Sequence, residues 1–351
     1  MKKQRILLVL SAVLLILAAS AIASAQCTFT TIKKTMTLDG DCVTTTSIIV
    51  PNGFTLNGAG HTITAMDPVG DYFKRGIIQN GGATADVTNV KVTTSALVDP
   101  CDQSSATRLR GVLFDGASGS ITKTTITNIT HVGAGPCGDE GNAIEVRNFG
   151  ASAATCRVKI DGNTATGYQK GGIIVNGNVD AMITDNVVDA LAASPFIARN
   201  GIQLGFGATG MIKRNQVSNN EYTGPEPAAA AGVLIVAGPW FAGPGFDSPY
   251  SVGSQVDQNT ITENDVGVWV VELDTLGNAP TTMTNVKVVN NTISKAGFTN
   301  PYQAGVSDSG NNDKVIANRI SGAGYDPSFV GRFEVDADPS FTNRAKVHAN
   351  K

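Results

Sequence analysis

The sequence predicts an all-β chain that winds into a solenoid of about nine coils with a C-terminal cap, and two observations lead to this fold class. The strand motif Gly172-Ile173-Ile174 returns 29 residues later as Gly201-Ile202-Gln203, and Asn186 returns after the same interval as Asn215. The composition, with 39 Gly and 16% charged residues, suits short strands joined by tight turns. A fixed period of this size is typical of stacked repeats.

The first 25 residues predict a secretory signal peptide, because a basic start and an apolar run lead to the small-residue site Ala23-Ser24-Ala25. This cleavage site argues against the alternative, a membrane anchor, and no later apolar run reaches the ~20 residues of a spanning helix. We therefore expect a mature chain that is secreted, periplasmic or at the cell surface, without a membrane span. Its expected parts are an entry coil at 26–66, β-helix repeats at 67–323 and a cap at 324–351.

All five cysteines lie in the exported part of the chain, where disulfides can form. Cys27 and Cys42 are the most local pair, and Cys101 and Cys137 are a second candidate pair because both lie in loops. One cysteine must be left over, since the number is odd. No CxxC or HxH spacing occurs, which disfavours a clustered metal site, and no cofactor is predicted.

The entry segment already contains the strands of one coil. Residues 47–50, 54–56 and 61–64 predict three short strands, which the turns Pro51-Asn52-Gly53 and Asn57-Gly58-Ala59-Gly60 separate. Three short strands joined by turns are what one coil of a solenoid needs.

Two strand motifs then alternate along the chain. The first is a small residue followed by an apolar one, and it recurs every 29 to 38 residues at Gly76, Gly111, Ala143, Gly172, Gly201, Gly232, Gly267 and Gly305. The second places Asn three residues after an apolar residue, at Asn163, Asn186, Asn215, Asn259, Asn291 and Asn318. Coils stack about 4.8 Å apart, so equivalent residues form columns. We expect inner columns of Ile and Val and a hydrogen-bonded ladder of Asn.

These Asn-x-Ile/Val turns, the Gly-Ile/Val strands and the opening Leu56-Asn57-Gly58-Ala59-Gly60-His61-Thr62-Ile63 resemble right-handed parallel β-helix proteins. The resemblance covers residues 45–323 and implies a single-stranded, right-handed parallel β-helix. Its motifs are core and corner residues, so it implies no single function. The superfamily includes pectate lyases, which implies an aspartate cluster for calcium if this chain is a lyase. No motif here matches such a cluster residue by residue.

Strand alternation separates inward from outward positions of the first motif. The inward residues are Ile77, Val112, Ile144, Ile173, Ile202, Val233 and Val268. The residues after them point outward, namely Ile78, Leu113, Glu145, Ile174, Gln203, Leu234 and Trp269. A second outward column lies two residues further on, at Asn80, Asp115, Arg147, Asn176 and Gly205.

The second column is polar over four successive coils and predicts a site. Arg147 could hold a uronate carboxylate through two parallel hydrogen bonds. Asp115 and Glu145 could act as acid and base or bind calcium, so these three are the candidate catalytic residues. The alternative is a salt-bridged outer face that stabilises the fold only slightly. Further candidate ligand-binding residues on this face are Asn80, Asn176 and Gln203.

A long loop at 221–254 predicts an aromatic surface. It carries Trp240, Phe241, Phe246 and Tyr250, and the outward Trp269 could join them in stacking against sugar rings. Trp240 and Trp269 are therefore also candidate ligand-binding residues. The alternative is that the loop folds back and buries Trp269 and Leu234 as a satellite core.

Charge and motifs restrict the function further. The net charge of −3 leaves no basic footprint for nucleic acid, and no Gly-x-Ser-x-Gly, Walker or HExxH motif occurs. One hypothesis is a secreted, monomeric β-helix that binds a polysaccharide or serves as a surface scaffold. The other is a polysaccharide lyase or glycoside hydrolase that acts on an acidic glycan. A third, weaker hypothesis is a face that binds another exported protein during its assembly.

Overall fold

The computed structural model describes residues 25–98, 107–132, 141–149, 154–244, 246–337 and 346–348. They form a right-handed parallel β-helix in which successive coils add strands to three long sheets. Short 3-10 helices occur at Pro239–Phe241 and Ala323–Tyr325. Within the described ranges, no helix is long and apolar enough to cross a membrane.

Sheet 1 collects the first strand of each coil. Its ten strands are Ile48–Val50, Gly76–Asn80, Arg110–Asp115, Asn142–Asn148, Gly171–Gly177, Asn200–Gly205, Ala231–Ala237, Val266–Glu272, Gln303–Asp308 and Arg332–Ala337. Sheet 3 collects the last strand of each coil, in Cys42–Thr44, Thr62–Ala65, Lys91–Thr94, Thr125–Thr127, Thr164–Thr166, Val187–Asp189, Gln216–Ser218, Thr260–Thr262, Thr292–Ser294 and Arg319–Ser321.

Sheet 2 lies between them along the chain. It comprises Phe29–Ile32, Thr35–Leu38, Phe54–Asn57, Thr84–Thr88, Ser118–Thr122, Cys156–Asp161, Val179–Thr184, Thr209–Lys213, Gln255–Asp257, Lys287–Val289, Lys314–Ile316 and Lys346–His348. Its first two strands pair antiparallel and the rest pair parallel, so the N-terminal edge of this sheet is a hairpin. Leu97–Val98 and His131–Val132 form a separate small sheet.

The core consists of apolar columns, as the repeats predict. Pairing in sheet 1 aligns Val112, Ile144, Ile173, Ile202, Val233, Val268 and Val306, and all of them are fully buried. Burying one such side chain stabilises the fold by about 1.5–3 kcal/mol. Because each coil must bury its apolar residues against the coils on either side, the columns fix the register of the sheets.

The predicted Asn ladder runs along the corner between sheets 2 and 3. The Asn186 backbone N–H and side-chain Nδ2 both donate to Asn215 Oδ1 at 2.9 Å, and Nδ2 also donates to the Ile160 carbonyl at 3.0 Å. Asn215 repeats this pattern towards Asn259. The same bonds link the remaining members from Asn163 to Asn318, all of them buried.

The ladder begins at Thr124, one coil before its first Asn. The Thr124 backbone N–H and Oγ1 both donate to Asn163 Oδ1, at 2.9 and 2.8 Å. A hydroxyl therefore satisfies the terminal Asn side chain where the sequence has no further Asn. Sharp corners also require left-handed backbone, which Asp185 and Asn290 adopt with φ of 57° and 58°.

One predicted register was wrong. The coil that begins at Gly76 pairs Ile78, not Ile77, with Val112, so Ile78 points inward and Gln79 takes the outward position beside Leu113. Both isoleucines are fully buried, which is why apolar alternation could not distinguish the two registers. Asn80 consequently lies one position away from the column that Asp115 begins.

The sequence predicted a disulfide and a C-terminal cap, and the structure describes part of each region. Cys27 and Cys42 form the predicted disulfide, with Cα atoms 4.9 Å apart, and Cys156 is a buried free thiol. Cys101 and Cys137 lie outside the described residues. Within the segment expected to be a cap, Arg332–Ala337 and Lys346–His348 continue sheets 1 and 2.

We expect Asn215→Ala to lower the free energy of unfolding by about 3 kcal/mol, because it removes the bonds that the Ile183 carbonyl and the Asn186 backbone N–H make with this buried side chain. Urea unfolding measures this change. Gln216→Ala, which alters the exposed neighbour, should change stability by less than about 0.5 kcal/mol. Equal effects of the two substitutions would contradict a stabilising ladder.

Candidate functional site

The outer face of sheet 1 brings together most of the predicted site residues. Strand pairing aligns Asp115, Arg147, Asn176 and Gly205 in one column. The neighbouring outward column contains Leu113, Glu145, Ile174, Gln203, Leu234 and Trp269. Asn80 is out of register with the first column, but its side chain bonds to the backbone N–H and carbonyl of Asp115 at 2.8 and 3.0 Å.

Glu145 is buried in an ion pair that the sequence analysis missed. Arg110 Nε lies 2.6 Å from Glu145 Oε2, and both side chains are at most 5% exposed. Asn142 Nδ2 donates to the same oxygen at 2.8 Å, and Arg147 Nη1 lies 3.6 Å from Oε1. These partners occupy both carboxylate oxygens and hold Glu145 as a fixed part of the sheet surface.

Asp115 and Arg147 form the second ion pair of the face. Arg147 Nη2 lies 2.8 Å from Asp115 Oδ2, and the Asp115 side chain is 53% exposed. Burial alone would lower the pKa of Arg147, but the hydrogen bond to Asp115 and the charge of Glu145 raise it. Arg147 therefore bridges the two predicted carboxylates, as a guanidinium with several donors can.

A polar groove of about 300 Å³ lies over this part of sheet 1. Its lining residues are Arg108, Arg110, Asn142, Glu145, Lys170, Ile174, Asn176, Asn200, Gln203, Phe206 and Val236. Three of them are cationic and one is a carboxylate. Arg110 pairs with Glu145, whereas Arg108 and Lys170 are half-buried, and Lys170 Nζ donates to the Ala198 carbonyl at 2.9 Å.

Side-chain amides form part of the groove surface and include two predicted ligand-binding residues. Asn200 Nδ2 donates to Gln203 Oε1 at 2.9 Å, and Gln203 Nε2 donates to Asn176 Oδ1 at 2.9 Å. This chain of hydrogen bonds orients the three amides across neighbouring coils. The groove therefore presents preorganised polar groups rather than flexible side chains.

The predicted aromatic residues do not form one surface. Phe206 lines the groove and packs against Phe149 and Phe246, with ring centroids 6.2 and 5.7 Å away. Further along sheet 1, the half-buried Trp269 packs against Tyr302 at 6.1 Å. Trp240 is 54% exposed and lies near Gly277. The aromatic wall of the groove is thus a Phe cluster, in which only Phe246 was foreseen.

The single long loop predicted at 221–254 was wrong, because strand Ala231–Ala237 of sheet 1 interrupts it. The loop before this strand, at 221–230, is fixed by a buried ionic network. Lys295, which is fully buried, bonds to Glu221 through its Nζ. Asp265 accepts the backbone N–H groups of Tyr222 and Ala230 at 2.8 and 3.0 Å. The loop therefore leaves the solenoid from a defined position.

Three further carboxyl groups, here named the acid cluster, are buried near the end of the solenoid: Glu272, Asp308 and Asp313. Thr284 Oγ1 and the Val286 N–H donate to Asp313 at 2.6 and 2.8 Å. Burial raises the pKa of Glu272 to about 7. Burial, followed by the neighbouring Asp308, raises the pKa of Asp313 to about 9. No strand motif in the sequence pointed to this cluster.

Metal binding receives no support from the geometry. In the part of the chain that the structure describes, no group of three or more His, Cys, Asp or Glu side chains is arranged to hold a metal ion. The calcium expected for a lyase stays a prediction. A mutation at Glu145 or Asp115 would break the ion pair with Arg110 or with Arg147.

Comparisons with known proteins reveal only distant structural similarity. No protein-family model matches the chain, and no curated protein matches its sequence. The Dettilon tailspike protein gp208 has a TM-score of 0.44 and 15% identity, covering 86% of this chain and 61% of its own. A mutant of the periplasmic alginate epimerase AlgG has a TM-score of 0.42 and 12% identity, covering 90% and 85%. The chain thus spans less than two thirds of the tailspike, and similarity at these TM-scores carries no functional argument.

We expect Glu145→Gln to lower the free energy of unfolding by about 3 kcal/mol, because Arg110 loses its buried counter-charge. Asp115→Asn is the matched control, since its ion pair is exposed and should contribute less than about 1 kcal/mol. Urea unfolding compares the two variants. A smaller effect at Glu145 than at Asp115 would contradict the buried ion pair.

The acid cluster predicts that stability falls as pH rises from 5 to 8. Carboxyls of an unfolded chain titrate near pH 4, whereas Glu272 and Asp313 keep their protons to about pH 7 and 9 when folded. Between these values unfolding releases protons, so it becomes more favourable with rising pH. Carboxyls with lowered pKa, such as Asp161 and Asp257, lose their contribution only at lower pH.

Asp313→Asn tests this dependence, because the amide is neutral at both pH values and can donate to Asp308. The variant should be more stable than the unmodified protein at pH 8 and should show a smaller difference between pH 5 and 8. Urea midpoints at constant ionic strength measure both effects. An unchanged difference between the two pH values would show that Asp313 does not hold the proton.

Proposed function

We propose that the protein binds an acidic glycan in the polar groove of sheet 1. The observation that carries the proposal is the chain of ordered amides in the groove, whose lining also includes the cationic side chains of Arg108, Arg110 and Lys170. A uronate offers a carboxylate for the cations and ring hydroxyls for the amides. Hydrogen bonds between charged partners contribute about 1.5–3 kcal/mol each.

The shape and the apolar wall of the groove support a sugar ligand. A volume of about 300 Å³ lies at the lower end of the range of small-molecule sites. Ile174, Phe206 and Val236 line it together with the polar groups. Because one face of a sugar ring exposes C–H groups, a ligand held by its carboxylate can place this face against Phe206.

The ion pairs favour binding over catalysis. A general acid or base must reach the proton that it transfers. Glu145 is 5% exposed and its oxygens already contact Arg110, Asn142 and Arg147. Asp115 is accessible but pairs with Arg147. Neither carboxylate is therefore placed to exchange a proton with a substrate without first losing these partners.

Titration calorimetry with a defined oligogalacturonate tests the proposal. We expect Lys170→Gln to weaken binding about tenfold, since one charge-assisted contact is lost. Lys287→Gln, an exposed change on sheet 2, is the control and should have no effect. A neutral oligosaccharide of equal length should bind more weakly, and added salt should reduce the difference. Unchanged binding by Lys170→Gln would overturn the proposal.

The same samples test the alternative, a polysaccharide lyase or glycoside hydrolase. Incubation with the oligosaccharide, with and without calcium, is followed by assays for reducing ends and for the ultraviolet absorbance of unsaturated uronates. The binding function predicts neither product. New reducing ends that disappear in the Asp115→Asn variant would replace it with hydrolysis or elimination at this face.

A further inference from the structure

The outer surface of sheet 3 carries a regular array of hydroxyl groups, here named the threonine face. One of its columns consists of Thr64, Thr93, Thr127, Thr166, Asp189, Ser218, Thr262, Ser294 and Ser321. The other consists of Thr62, Lys91, Thr125, Thr164, Val187, Gln216, Thr260, Thr292 and Arg319. From Thr64 to Ser321, eight of these nine residues are Thr or Ser, so hydroxyls repeat on almost every coil, whereas the first strand of the sheet has Val43 at this position.

The hydroxyls of the threonine face make no hydrogen bonds within the described part of the protein. Sheet 2 differs in this respect. There, Thr122 Oγ1 bonds to Thr88 Oγ1 at 3.0 Å, and Thr184 bonds to Asp161. On the threonine face, the Thr and Ser side chains are half-buried or exposed and their hydroxyls stay available as donors and acceptors, whereas Asp189 accepts bonds from Leu191 and Asn219. The face can therefore hydrogen-bond to an external partner on almost every coil.

The spacing of the face is set by the backbone. Hydroxyls of neighbouring coils lie about 4.8 Å apart and those of one strand about 7 Å apart, as parallel strands require. The inward residues between them, such as Ile126, Ile261 and Ile293, are fully buried. From Asn163 onward, the Asn ladder directly precedes each strand of this face, and Asn291 bonds to Asn318 one residue before Thr292. The array is therefore held rigidly in two dimensions.

We propose that the threonine face binds the surface of ice. Three properties point to ordered water rather than to a sugar or a protein. The two columns contain no aromatic side chain on which a sugar ring could stack. Charges occur only at Lys91, Asp189 and Arg319 among the eighteen positions. Threonine offers a methyl group beside a hydroxyl, so it packs between water molecules and also bonds to them at regular intervals.

Lattice matching explains why the partner must be crystalline. A single hydrogen bond exchanged with liquid water contributes little, because water replaces it. A rigid array gains when its partner repeats with spacings of the same order in both directions, since many bonds then form without further ordering of the protein. Ice is such a lattice, and its molecules both donate and accept.

The test measures ice growth in the presence of the purified full chain. A seeded ice crystal is held just below its melting temperature, and we expect arrested, faceted growth. Thr127→Tyr and Thr262→Tyr place a bulky residue of high β-propensity on the face, so the fold is retained while contact with a flat surface is blocked. Both variants should lose the arrest. Thr55→Tyr on sheet 2 is the control and should keep it.

Three results would overturn the proposal. One is growth of the seed at the same rate as with an unrelated protein at equal concentration. Another is arrest that Thr127→Tyr and Thr262→Tyr leave unchanged while circular dichroism shows normal folding. The third is free ice growth together with co-sedimentation on crystalline cellulose or chitin that these variants abolish, which would assign the face to a polysaccharide. Binding of oligogalacturonate tests the groove of sheet 1 and has no bearing on the threonine face.

Discussion

The stacking of coils at one fixed spacing is the constraint on which the structure depends, and the Asn ladder enforces it. Each Asn side chain bonds to the backbone of the preceding coil and to the Asn side chain of the next, as Asn186 does with Ile160 and Asn215. A coil that slipped by one residue would lose these bonds and turn its apolar side chains outward. The ladder and the apolar columns therefore both disfavour a coil that has slipped by one residue.

Because register is fixed, residues far apart in sequence become neighbours on each face. Sheet 1 combines buried ion pairs, ordered amides and two half-buried cations in a groove, whereas sheet 3 repeats one simple side chain on almost every coil. The first arrangement suits a ligand of defined shape and charge. The second suits a partner that is itself periodic. One scaffold therefore supports two different modes of recognition.

Sequence alone predicted the stacked coils and the Asn ladder, which depend on repetition, and the Cys27–Cys42 disulfide, which is local in sequence. The prediction of register failed where two registers would bury apolar side chains equally well, as at Ile77 and Ile78. It also missed Arg110, because a charged residue before a strand motif gives no sign that it will pair with Glu145 on the next coil. Asp308 and Asp313 were missed because burial of the loop between them has no periodic signal.

Residue-resolved amide hydrogen exchange tests the central claim most directly. The backbone N–H groups of Asn186, Asn215 and Asn259 each donate to a buried Asn side chain of the next coil. We predict that they are among the slowest to exchange and that Asn186 and Asn215 open together, since neither bond survives separation of the coils. Exchange as fast as at the fully exposed turn residue Val69 would contradict the ladder and the stacking that depends on it.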